Sequence, residues 1–280
     1  METYGLKRIG WGSPFLLVPE ATQVDARTRE ALTQAKASDF YLSHASPLGV
    51  PFNNFRNSSG EQQRLARIEK NRPGSPCYKK FLSFDTRYTE KAICTASRQY
   101  QRLKLQELEV ASQQALPQCG EKQDVLAKDC LCEGLGASAL LEHGVSPARG
   151  LTAVSICPGP NSAYFRSTYT LAELVGHIYG RNNVLEGVKR PHLFVKELSL
   201  YVDYWKKELA KSLRHSPEKI QASSETFRKH LLDGIQYYKQ LLTKGQLWLS
   251  AEDRAILQEF EAQLQPTCSA VRGEKMILPS

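Results

Sequence analysis

Five of the seven cysteines in this 280-residue chain sit beside turn formers: Cys77, Cys94, Cys130, Cys132 and Cys157. Thiols placed at turns face free backbone N–H groups, the setting in which sulfur charge is tolerated and metals are held. The opening stretch, METYGLKRIGWGSPFLLVPE, has a short apolar run broken by Pro14 and Pro19 and no small-residue cleavage site. No secretory signal is therefore expected, and the chain reads as cytoplasmic. In a reducing compartment, clustered cysteines argue against a disulfide framework and toward metal or redox chemistry.

The local settings differ. Cys77 ends the restricted loop Pro73-Gly74-Ser75-Pro76. Cys94 precedes a helix expected from about residue 95, where the positive end of the helix dipole lowers a thiol pKa. Cys130 and Cys132 form a C-x-C pair in Asp-Cys-Leu-Cys-Glu-Gly-Leu-Gly, ahead of another helical stretch. Cys157 heads Cys-Pro-Gly-Pro-Asn after an apolar run, and Cys-Pro also occurs in ferredoxin-type ligand runs. No C-x2–4-C zinc knuckle is present, which favours an iron–sulfur cluster and leaves zinc as the alternative. The expected ligands are Cys77, Cys94, Cys132 and Cys157, with Cys130 as substitute or neighbour. Their separations of 17, 38 and 25 residues match no compact ferredoxin pattern, so the fold has to gather them. Cys119 and Cys268 lie in polar stretches and read as incidental.

Competing readings come from the same residues. Free cysteine is a small hydrophobe, and Ile93-Cys94 or Ile156-Cys157 fit a core. Cys94 as a thiolate nucleophile would make the chain an enzyme acting on an anionic substrate or cofactor, or an oxidoreductase if the thiols are redox-active. A noncatalytic scaffold presenting its C-terminal helices is the third reading.

Composition is that of an ordinary globular protein, 41% hydrophobic and 24% charged. No run of 18 apolar residues is present, so no membrane partner is expected. The net charge of +8 is spread rather than gathered into a basic arm, which argues against nucleic acid as a partner.

The expected fold class is α+β, in three parts. Residues 1–60 read as a small α/β part, with strands at Phe15–Val18 and Phe40–Leu42, a helix over 25–36 capped by Asp25, and a turn-rich loop from Ser46 to Asn54. That loop is a weak candidate for a phosphate or flavin contact, with one glycine in nine residues. Residues 61–190 carry the cysteines. Helices are expected over 60–72, 95–115 and 137–143, a strand over 151–156, and a Thr170/Glu173 capping box opens another helix. Gly134-x-Gly136 reads as tight geometry before an anion site. His177 and His192 read as packing or surface residues. Residues 191–280 read as amphipathic helices from Leu193, from Pro217 after Ser216, and after Ser250. Tyr201, Tyr204 and Trp205 fall there at packing spacing.

The segments GWGSPFLLVPEAT, SPLGVPFNN, RPGSPC, ICTASRQY, CLCEGLG, CPGPN and HIYGR…RPHLFVKEL together resemble the C-terminal part of a family of longer bacterial proteins of no settled function. The resemblance covers roughly residues 5–205 and implies a bacterial source. It leaves room for an upstream domain or a partner protein, and it implies no mechanism, cofactor or catalytic residue.

Overall fold

The computed structural model describes residues 7–8, 10–77, 79–114, 119–145, 153–215, 217–245 and 247–265. The fold class is α+β: helices with one small sheet. The chain divides into two compact units, one from Gly10 to Arg190 and one built on the chain from Pro191 onward.

In the first unit, the apolar run at Phe15–Val18 is not a strand. Ser13–Leu17 forms a 3-10 turn. Pro14 holds a helical φ at its start, and the Phe15 N–H closes on the Gly12 carbonyl at 3.1 Å. Leu17 and Val18 are buried all the same. Helix α1 (Ala26–Thr33) starts at the expected cap, with the Asp25 carboxylate accepting from the Thr28 N–H. Strands β1 (Phe40–Ser43) and β2 (Phe52–Phe55) pair antiparallel, Phe40 opposite Phe55 with their rings stacked at 5.2 Å. The expected strand–helix–strand unit loses its first strand to the 3-10 turn, and β1 pairs instead with residues 52–55, most of which were expected as loop.

Helix α2 (Ser59–Glu69) follows, then α3 (Arg98–Gln114), α4 (Cys119–Ala127), α5 (Leu131–Glu142) and α6 (Leu171–Ile178). The capping box of α6 forms as its sequence requires: the Thr170 hydroxyl accepts from the Glu173 N–H, and the Glu173 carboxylate from the Thr170 N–H. Helix α5 begins well before the expected residue 137. Residues 153–156, expected as part of a strand, form no regular element, while 151 and 152 lie outside the described residues. Val154 and Ile156 nonetheless join the core with Leu17, Leu32, Phe55 and Leu174.

The second unit packs α7 (Leu193–His215), α8 (Pro217–Thr243) and α9 (Ala251–Leu264). Val195, Leu198, Val202 and Trp205 make one face of α7 and meet Ile235 and Leu257. The Ser250 hydroxyl caps α9 by accepting from the Asp253 N–H. Tyr201 and Tyr204 lie against Phe227, and the Trp205 indole N–H donates to the Ser224 carbonyl, so these aromatics are packing. Among the described residues, no helix is long and apolar enough to cross a membrane.

Candidate metal centre

Three segments carrying four of the cysteines are tied together in the first unit. The loop ending at Cys77 lies beside the turn that begins at Cys94: the Ser75 N–H donates to Ala96 O at 3.0 Å, and the Arg98 N–H donates to Ser75 O at 2.9 Å. Gly74 makes this approach feasible. Its φ is +77°, and a Cβ there would stand 2.7 Å from both Cα and N of Arg98. The arm between the two cysteines folds back through a backbone pair, Asp85 with Ile93.

The third segment is joined by Asp129, the residue before the C-x-C pair. Its Oδ1 accepts from Arg67 at 2.9 Å, from the Ser75 hydroxyl at 3.3 Å and from the Cys130 N–H at 2.8 Å. Burial pushes its carboxyl up, while the Arg67 guanidinium and the Cys130 N–H pull it back. Gln101 Nε2 donates to the Lys128 carbonyl, and Lys128 Nζ donates to Ser46 O, which brings the 44–49 loop to the same place.

The thiols lie close enough to feel one another's charge. Burial is the main effect raising the Cys94 pKa; the N–H groups of Ala96 and Ser97 oppose it, and charge on Cys77 or Cys132 would add to it. Cys130 is pushed up to about 12, first by burial and then by Asp129, Cys132 and Cys77. Its side chain makes no capping hydrogen bond to α5, yet the Glu133 N–H still favours its charge in part. Lys128 faces Cys94: burial lowers its pKa, and charge on Asp124 or Cys94 would raise it. The expectation of a low Cys94 pKa at a helix start is therefore corrected. Helix α3 begins only at Arg98, and desolvation of a thiol that is 6% exposed outweighs the nearby amides.

Of the five expected ligands, Cys77, Cys94, Cys130 and Cys132 lie on the three joined segments, and none of the five is in a disulfide. Cys157 is exposed and in no disulfide. Its segment packs on α5, with the Ser155 N–H donating to Gly134 O at 2.9 Å. Gly134 is there for that contact: a Cβ would fall 1.7 Å from Ser155 Oγ. Among the described residues, no three His, Cys, Asp or Glu side chains converge on one metal-ion position. His177 packs edge-on against Trp11 and Phe165, and His192 Nδ1 accepts from the Phe194 N–H at the start of α7. Cys119, expected in a polar linker, begins α4. Asp129 escapes sequence reasoning, although a carboxylate directly before C-x-C was the available signal.

A cleft of about 610 Å³ opens beside Cys77 and Cys94, which are both among its lining residues. Lys80, Lys91, Arg98 and Arg102 also line it, and among the described residues no carboxylate does.

No protein-family model, no curated protein and no solved structure matches this chain. The likeness to longer bacterial proteins rests on the quoted segments alone.

Proposed function

We propose that the chain is a metal-binding protein whose centre is an iron–sulfur cluster held by Cys77, Cys94, Cys130 and Cys132. The observation that carries this is the joining of their three segments by the Ser75–Ala96 and Arg98–Ser75 backbone bonds and by Asp129, with burial raising Cys94 and Cys130. Thiols give up their protons when a metal centre binds them, so such a centre would offset the burial that holds Cys94 and Cys130 in the neutral form.

The spacing bears on which centre. Zinc–sulfur bonds of about 2.3 Å in a tetrahedron bring sulfurs to within roughly 3.8 Å of each other. A cluster is bulkier and takes its four thiolates farther apart. The chain has a C-x-C pair and no C-x2–4-C knuckle of the zinc type, which favours the second case. Such a centre would supply one-electron transfer; the chain's own part is to hold the sulfurs and donate N–H groups from Ala96, Ser97 and Glu133.

Purification without oxygen, followed by iron, sulfide and zinc analysis and a visible spectrum, tests the proposal. A brown protein is expected, with colour lost in Cys77→Ser, Cys94→Ser, Cys130→Ser and Cys132→Ser and kept in Cys157→Ser. A colourless chain with one zinc would remove the cluster. A metal-free chain that takes up no iron and sulfide on reconstitution would refute the centre altogether.

A further inference from the structure

We infer that the cleft beside Cys77 and Cys94 is a binding site for a polyphosphate-bearing ligand of nucleotide size. The cleft volume, about 610 Å³, lies in the range of small-molecule sites. Its charge is one-sided. Lys80, Lys91, Arg98 and Arg102 line it without a carboxylate among the lining residues. None of the four makes an ion pair among the described residues, whereas nearby cations do: Arg87 pairs with Asp85, and Lys104 with Glu107 and Glu121. The Arg98 Nε is buried without a hydrogen-bond partner. Leaving a buried guanidinium N–H unsatisfied is costly unless something else accepts from it.

The backbone under two of the charges is defined. Lys80 sits in the left-handed region at φ +58°, which a lysine rarely adopts. The Arg98 backbone N–H donates to Ser75 O. Hydroxyls of Ser83 and Thr89 add neutral donors or acceptors to the wall. Four unpaired cations overcompensate a single carboxylate; a diphosphate, with several negative charges and many acceptor oxygens, matches them. The ligand would lie against the cysteine group. That adjacency matters to the proposed centre, but binding itself does not depend on metal.

Calorimetric titration of the full chain with pyrophosphate, and separately with ADP, tests the inference, with metal content measured on the same sample. Binding is expected to weaken at least tenfold in Lys91→Glu and in Arg102→Glu, both exposed positions where folding should survive, as circular dichroism would verify. Lys206→Glu, an exposed cation on α7 in the other unit, should leave it unchanged. No binding of either probe at millimolar concentration would overturn the inference. So would equal weakening by Lys206→Glu, which marks general charge attraction. Tight binding of a fluorescent dT oligonucleotide with no ADP or pyrophosphate binding would overturn it in favour of a polymer surface. Binding in metal-free protein sustains the cleft even if the cluster proposal fails.

Discussion

Replacing Gly74 by alanine should cost far more than its backbone angle alone predicts. Gly74 and Gly49 form a matched pair, with φ of +77° and +79° in the same unit. An L-residue in that region costs about 1–2 kcal/mol at either position. At Gly49 the added Cβ meets nothing within 4 Å. At Gly74 it meets Arg98 Cα and N at 2.7 Å and Ser97 C at 2.8 Å, all backbone atoms that no rotamer change can move. Overpacking of this kind adds about 1–3 kcal/mol. Gly74→Ala should therefore be about 2 kcal/mol less stable than Gly49→Ala. With a urea slope of about 2 kcal/mol per molar, the midpoints differ by about 1 M. Labelling of Cys94 across a urea series, read by mass spectrometry on chelator-treated protein, follows this unit specifically, because that thiol is 6% exposed in the native fold. Coincident midpoints for the two variants would refute the reasoning, since then only the dihedral matters and the loop is free to lift away. The same lift should move Cys77 away from Cys94 and speed labelling of Cys94 without denaturant in Gly74→Ala but not in Gly49→Ala.

Two further outcomes follow from the same unit. Gly134→Ala should lower the thermal midpoint well beyond Gly136→Ala, because its Cβ collides with Ser155 while that of Gly136 meets only the flexible tip of Lys79 at 3.1 Å; equal midpoints in calorimetry would contradict this. The Glu61 carboxylate accepts from Tyr41 Oη and from Arg64, and although burial alone would raise its pKa, the Arg64 bonds bring it below the ordinary 4.5. A depressed carboxyl contributes stability that is complete above its unfolded pKa and is lost as pH falls through the folded value. Stability of the wild-type chain should thus fall more steeply below about pH 4.5 than that of Glu61→Gln, and parallel acid-unfolding curves would exclude the pairing as the cause.

The helical half of the chain was legible because its signals are local. Thr170 with Glu173, Ser250 with Asp253 and the apolar spacing of α7 each act within one or two turns of backbone. The N-terminal strand reading failed where a short apolar run carries no period: Phe15–Val18 is buried either way, and Pro14 decided for a 3-10 turn. Helix α4 escaped because CGEKQDVLA shows almost no apolar face, with Val125 as its buried hydrophobe. At the candidate centre, the residue types were readable and the grouping was not. Which cysteines meet depends on Gly74 against Arg98 and on Asp129 bridging Arg67 and Ser75, contacts between residues distant in sequence. The four cations of the cleft are likewise dispersed from Lys80 to Arg102 and look like ordinary surface charge until the arm folds back at Asp85 and Ile93.

Asp129 has a consequence for the order of events. A zinc finger leaves its peptide unfolded until the ion arrives, so capture and folding are one transaction. Here a carboxylate, a guanidinium and a serine hydroxyl clamp the sulfur-bearing loops through bonds of the protein's own. Asp129→Asn, which weakens that clamp without touching a thiol, should therefore loosen the Cys77 and Cys130 segments together.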